Sequence, residues 1–248
     1  MRQAAGPIVT PNWRLQPAAM ISVVIPTLNA QATLGQTLAA LVSAAVDGLV
    51  REVIVVDGGS SDRTAEIVDQ AGANLVRGSG GRGHQLGAGA AQARFPWLLF
   101  LHADTTLAPG WEHDASVFME RVDMGGRPLA AAAFRFALDD AGARPRVLEW
   151  LVALRCAVLR LPYGDQGLLI PKRLYDDVGG YRPLALMEDV DLVQRLGRRR
   201  TVMLRSQAVT SAERFRREGY ARRSARNLLC LTLHTLRVPA HVISRIYG

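Results

Sequence analysis

An α/β fold with a mostly parallel central sheet and helices on both faces is what this sequence predicts. Three observations carry that expectation. Short runs such as "ISVVI" (21–25), "EVIVV" (52–56) and "WLLFL" (97–101) are apolar nearly throughout rather than alternating, as strands covered on both faces are. Between them, apolar residues recur at helical spacing, as at Leu34, Leu38, Leu41, Val42 and Ala45. Strand and helix signals alternate along the first hundred residues, which is the rhythm of a doubly wound sheet.

In chain order, the stretch 1–19 carries Pro7, Pro11 and Pro17 and no apolar core of a signal peptide, so it reads as a flexible leader. The first strand, 21–25, stops at Pro26. The helix over Leu34–Ala45 follows, then the strand 52–56, a helix at 62–71 and a third strand, "ANLVR" (73–77). A glycine-rich turn opens a helix that runs to about Arg94, and 97–101 is the fourth strand. After residue 105 the rhythm changes. A helix is expected at 109–122, an antiparallel or edge strand at 129–138, an amphipathic helix at 144–160, a short helix at 171–178, another within 186–198 and a strand at 201–206. The remainder, from about 213, is helical and basic. With no repeat and no low-complexity linker, residues 20–248 are expected to form one domain. Its parts are a nucleotide-binding half (20–105), a catalytic or acceptor half (106–212) and a basic helical tail (213–248).

Composition narrows the function. The net charge is +8, and Lys172 is the only lysine, so the positive charge is almost all guanidinium, which suits phosphate or carboxylate partners. Cys156 and Cys230 fit neither a zinc spacing nor a redox CxxC pair and read as small core residues. No run reaches the roughly 18 apolar residues of a membrane span. A cytoplasmic location is expected, with a peripheral place on the inner membrane face left open. The arginine-rich stretch 214–227 lacks any nucleic-acid signature and reads as an amphipathic helix lying on its own domain or on a membrane surface.

Ligands of open parallel sheets bind beyond the carboxyl ends of the strands. Pro26, Thr27 and Asn29 end the first strand; Asp57, Gly58, Gly59 and Ser60 end the second; His102, Asp104 and Thr105 end the fourth. Each has a plain structural reading as a cap or a turn, but their coincidence at successive strand ends points to a crevice that Asp57 and Asp104 enter from neighbouring strand tips. "GSGGRG" (78–83) matches a dinucleotide fingerprint, with Asp104 about 20 residues on, so an NAD(P)-dependent oxidoreductase is the alternative enzyme. Against it, the motif sits in the third βα turn rather than the first. "MEDVDL" (187–192) gathers Glu188, Asp189 and Asp191, either as a general-base cluster or as an acidic first turn of a helix.

"SVVIPTLNA", "VIVVDGGSSDRT", "LLFLHADT" and "LMEDVDL" resemble, in order and spacing, family 2 glycosyltransferases of the GT-A fold, over roughly residues 20–205. "GRGHQLGAGA" and "GDQGLLI" are similar to a compact bacterial subgroup associated with radical-SAM or selenium-related proteins. The resemblance implies an inverting transfer from a nucleoside-diphosphate sugar, usually a UDP-sugar. Asp57 would then meet the base, and Pro26, Thr27, Asn29 and Gly58 would line the nucleoside pocket. Asp104 would hold a divalent metal, Mn²⁺ or Mg²⁺, and Arg82 would reach the diphosphate. Asp189 would be the catalytic base beside Glu188, and Asp165 and Gln166 would hold a sugar. The sequence departs from the family at His102, where the first aspartate of D-x-D is expected, and at Ala30, where a glutamate is common. No processive-synthase signature is present. The acceptor, a small metabolite, lipid or protein, is not implied. A non-catalytic nucleotide-sugar or membrane-surface binding protein is the alternative outside the enzymes, and the apolar stretch 228–246 leaves a homodimer open.

Overall fold

The computed structural model describes residues 20–184, 186–236, 238, 242 and 243. The expected leader and the last part of the tail lie outside these residues. The elements run β1 (Ile21–Thr27), α1 (Leu34–Ala39), α2 (Val42–Val46), β2 (Val50–Asp57), α3 (Thr64–Gln70), β3 (Asn74–Arg77), α4 (Arg82–Gln92), β4 (Trp97–Phe100), β5 (Thr105–Leu107) and α5 (Trp111–Asp123). They continue with β6 (Ala131–Leu138), α6 (Ala143–Leu159), β7 (Leu168–Pro171), α7 (Lys172–Asp177), α8 (Glu188–Leu196), β8 (Thr201–Thr210), α9 (Glu213–Glu218) and α10 (Tyr220–Thr235). Single turns of 3-10 helix occupy Gly164–Gln166 and Arg198–Arg200.

One sheet of eight strands holds these elements together, in the order β3-β2-β1-β4-β7-β6-β8-β5. The first four strands are parallel. β7 then joins β4 antiparallel, β6 lies antiparallel to β7 and parallel to β8, and β5 closes the edge antiparallel to β8. β1 explains the unbroken apolar runs. Its Ile21, Val23 and Ile25 pack into one buried layer with Leu34, Leu41, Trp97, Leu99 and Trp111. Its Val24 points the other way, into a layer with Ile54, Val56, Leu86, Phe100 and Ile170. Both faces are covered, so successive side chains are all apolar. Each such side chain, fully buried, contributes about 1.5–3 kcal/mol of transfer free energy.

Four expectations change. The helix expected over Leu34–Ala45 is two short helices, broken by a turn at Ala40 and Leu41. The strand at 129–138 is not an edge: β6 is interior, antiparallel on one side and parallel on the other, and so buried at nearly every residue. β5 and β7 are strands that the sequence reading left unassigned, being three and four residues long. β2 and β4 are not neighbours, because β1 lies between them.

The glycines of α4 fit it closely against the sheet. A Cβ on Gly89 would overlap Val24 Cγ1 and lie 3.0 Å from Val56 Cγ2, both on rigid strands. Gly89→Ala gains about 1 kcal/mol of helix propensity but overpacks this layer, a cost of about 1–3 kcal/mol. A net loss is expected, read as a Tm lower by roughly 2–6 °C.

Candidate active site

β1 and β2 end side by side, with Thr27 opposite Asp57. The loops beyond them are stitched together by side chains. Asn29, held at φ 51°, donates its N–H to Ser60 Oγ (2.8 Å) and accepts at Oδ1 from the N–H of Ser61 (2.9 Å). The N–H of Ala30 donates to Thr64 Oγ1 (2.9 Å), and the N–H of Gln31 donates to Asp62 Oδ2 (3.0 Å). The Asp57 carboxylate accepts from Thr27 Oγ1 (3.4 Å), from Ser60 Oγ, and from the N–H groups of Gly59 (3.3 Å) and Ser60 (3.0 Å). Ser60 is therefore a link between two loops and not a helix cap. Beneath them Gln85, buried on α4, donates its amide to Thr27 O (2.8 Å) and Val56 O (3.0 Å). Gly58 rests on that amide: a Cβ there would lie 2.8 Å from Gln85 Nε2.

A cleft of about 580 Å³ opens beside these tips. It is lined by Pro26, Thr27 and Asn29 from the first loop, Arg82 from α4, His102 and Asp104 after β4, and Glu188 from α8. The expected site residues are thus only partly brought together. Asp57 and Gly58 lie at the adjoining strand tip and not on the cleft wall, and Asp57 is 7% exposed with its carboxylate taken up by its own loop. Asp165, Gln166 and Asp189 also lie off that wall.

Asp189 is fixed by backbone. Its Oδ2 accepts from the N–H of Gly164 (2.6 Å) and its Oδ1 from the N–H of Val190 (2.8 Å). Gly164 cannot carry a side chain, because a Cβ would meet His102 Nε2 at 2.6 Å and Asp189 Oδ2 at 3.2 Å. His102 and Asp189 therefore face each other across Gly164. Burial, and then the charges of Arg82 and Arg214, hold the His102 imidazole well below its usual range, hence neutral. Burial pushes Asp165 up to about 6 against the pull of Arg155, with Asp189 and Asp104 adding to the rise. Glu188, 2% exposed, is pushed up to about 7 by burial and by Asp189, while Arg82 at 3.6 Å opposes the shift. Asp165 Oδ1 and Glu188 Oε1 are buried without a hydrogen-bond partner.

Gln166 corrects the sequence reading. It is 1% exposed and held by its neighbours: Oε1 accepts from Arg155 (3.0 Å) and the N–H of Tyr163 (3.2 Å), and Nε2 donates to Phe134 O (3.0 Å). It shapes the turn that presents Gly164 and Asp165, and it is buried away from the cleft where a sugar would lie. "GSGGRG" is also explained by protein contacts. Gly78 packs on Val56, and a Cβ on Gly83 would overlap Arg182 O and lie 3.0 Å from the N–H nitrogen of Leu184. Gly80, the second glycine, whose counterpart in a dinucleotide site lets the backbone approach a pyrophosphate, is instead covered by the His84 ring, which a Cβ would meet at 2.8 Å.

Sequence reasoning missed Gln85, the Gly164 N–H and the arm Ser211–Arg214. Ser211, Glu213 and Arg214 line the cleft. The N–H of Ser211 donates to Asp104 O (3.0 Å), and Thr105 pairs with Thr210 across β5 and β8. That pairing draws the start of the basic tail to the cleft, and only the sheet topology reveals it. Among the described residues no three His, Cys, Asp or Glu side chains form a ready metal cage. A hard divalent cation that keeps waters and phosphate oxygens needs only one or two carboxylates. Asp104, on the cleft wall, supplies one, so the residues present are compatible with a hard divalent cation that takes its other oxygens from elsewhere.

The two raised carboxyls fix a sign. A carboxyl that binds its proton more tightly when folded stabilises fully below its ordinary value, and that contribution is lost as pH rises through the folded value. Tm is expected to fall between pH 4.5 and about 7 through Glu188, which ordinarily titrates near 4.5. Glu188→Gln should flatten part of that fall, and adding Asp165→Asn should flatten more, in a thermal-melt series against pH.

Residues 22–126 match the family model for glycosyl transferase family 2. No curated protein sequence matches the chain. Among solved structures, the chain is similar to glucosyl-3-phosphoglycerate synthase from Mycobacterium tuberculosis in complex with Mn²⁺, UDP and phosphoglyceric acid. The identity is 22% over 75% of this chain and 68% of that one, with a TM-score of 0.53. A complex of the same synthase with Mg²⁺ and UDP gives 23% identity over 78% and 70%, TM-score 0.53. S. aureus TarS (1–349) gives 16% identity over 92% and 69%, TM-score 0.58. The fold is the GT-A-like α/β fold of these structures, and together with the family match it supports a glycosyltransferase.

Proposed function

We propose that this chain transfers a sugar from a nucleoside-diphosphate sugar, a UDP-sugar, to an acceptor hydroxyl, with inversion at the anomeric carbon. The observation that carries the proposal is Asp189, whose carboxylate is oriented by two backbone N–H groups next to a cleft bearing Arg82 and Asp104. The Mn²⁺, Mg²⁺ and UDP in the complexes of the similar synthase support the donor and the cation.

In this reading Asp189 takes the proton of the acceptor hydroxyl while that oxygen attacks the anomeric carbon. The bond from that carbon to the diphosphate oxygen breaks, and its electron pair leaves with UDP. Arg82 meets the growing negative charge, which a preorganised guanidinium stabilises without reorganising. Asp104 would hold the divalent cation, which supplies further charge stabilisation to the departing diphosphate. His102, neutral and beside Gly164, packs where the family's first D-x-D aspartate would put a second negative charge. Pro26, Thr27 and Asn29 form the nucleoside wall. Asp57 meets the base only after giving up bonds to its own loop, so donor binding is coupled to a rearrangement of residues 57–60. Asp165 stands by the sugar, with an oxygen that lacks a partner. "GRGHQLGAGA" and "GDQGLLI" support a place in the compact bacterial subgroup named above.

Against the NAD(P) alternative, Gly80 is covered by His84, and Gly78 and Gly83 pack on Val56 and residues 182–184. Asp189→Asn is expected to lower kcat by about 10²–10⁴-fold while the Kd for UDP, measured by calorimetry, stays within a factor of about two. Asp104→Ala should weaken the metal-dependent part of UDP binding. A retained anomeric configuration in the product, read by proton NMR, or full activity in Asp189→Asn, would sink the assigned mechanism.

A further inference from the structure

α6 is buried on one side only. Cys156 and Pro145 face inward, and Leu148 and Val152 pack against the cluster of Phe136, Phe215 and Tyr220. Val147, Trp150, Leu151, Leu154 and Val158 recur at steps of three and four residues on the outward face and are 46–63% exposed. A stripe that runs the length of a 17-residue helix is more than a scatter of surface apolar residues. Beside it lies a groove of about 540 Å³ between α6 and the β6–β8 pair, lined by Arg135, Arg146, Arg160 and Arg205 and by Trp150 and Met203. Its one acid, Glu149, is occupied by Arg146 (2.8 Å) and the N–H of Leu138 (2.9 Å). Arg135, Arg160 and Arg205 make no side-chain hydrogen bond or ion pair among the described residues.

We infer that this face docks on an anionic phospholipid surface, with the stripe in the acyl boundary and the groove on lipid phosphates. Apolar side chains flanked by guanidiniums, with a tryptophan among them, are the chemistry of an interfacial helix. A second copy fits less well: two such faces would bring their arginine grooves together with no free acid along α6 to meet them. Much of the arginine tail that the sequence pointed to is engaged within the protein. Arg223 is buried, pairs with Glu218 (2.8 Å) and stacks over Phe215, and Arg226 also pairs with Glu218. α10 exposes Leu228 and Leu229, but its buried Arg223 and its Arg226 are held by Glu218, whereas the groove beside α6 keeps three arginines clear of acids among the described residues, so the membrane face is placed on α6.

The test uses the full chain with vesicles of phosphatidylcholine alone and with about a third phosphatidylglycerol. Co-sedimentation is expected to be at least about tenfold stronger on the anionic vesicles and to fall with salt. Trp97 and Trp111 are buried, so in a Trp13→Phe background the blue shift on binding should come mainly from Trp150 and shrink when Trp150→Phe is added. Leu151→Glu with Leu154→Glu, both on the surface, should abolish sedimentation while the rise in Tm with UDP stays unchanged. Arg160→Ala with Arg205→Ala should cost the anionic preference. Equal binding to both vesicles, binding that survives Leu151→Glu/Leu154→Glu, or a dimer that those substitutions dissolve in light scattering, would overturn the inference.

Discussion

The amide of Gln85 lies under the carboxyl ends of β1 and β2 and donates to one carbonyl on each side, Thr27 O and Val56 O. Those two carbonyls stand where the strands part; Thr27 O also accepts from the N–H of Gly58 (2.8 Å) and Val56 O from Thr27 Oγ1 (3.4 Å), so the amide ties the strand ends together as a shared partner. With the amide in place, Thr27 and Asp57 stay opposite each other, Gly58 can cross above, and the loops 28–33 and 58–64 can be sewn to one another by Asn29, Ser60, Asp62 and Thr64. The cleft wall is built on that seam. α4 must approach the sheet closely for Gln85 to reach, which is why Gly89 presses on Val24 and Val56.

The second half of the site depends on a different kind of constraint. Asp189, Asp165 and Glu188 are three acids in a small buried space, and two of them are raised toward neutrality. The protein settles this by giving backbone N–H bonds to Asp189, an arginine to Glu188 and a neutral imidazole at His102. Packing at Gly164 keeps these groups together. In the proposed reaction, an acceptor hydroxyl enters a region where negative charge already crowds, and the diphosphate leaves toward Arg82 and Arg214.

The parallel half of the fold was legible because each of its strands shows the same signal, apolar residues on both faces followed by a polar tip. The strands that complete the sheet were not. β5 is the three residues Thr105–Leu107, and β7 is the four residues Leu168–Pro171, too short for any period to show. Asn29, Asp57, Asp104 and Asp189 could be read from local motifs. The role of Gln166 was misread because it follows Asp165 in one motif, and only its burial and its bonds to Arg155, Tyr163 and Phe134 set it apart. Gln85 and Arg214 were hidden because their meaning lies in contacts 58 residues away along the chain and across the β5–β8 pair. The apolar stripe of α6 was read as amphipathic, and only the structure shows which of its faces lies uncovered.

The most direct test of the central claim is UDP release from a panel of UDP-sugars with Mn²⁺ or Mg²⁺, repeated with EDTA and with no acceptor added, so that water takes the acceptor's place. Slow release from one sugar, stopping when the metal is removed, is expected. No release from any sugar, together with a melting temperature that UDP leaves unmoved and NAD(P) raises, would contradict it.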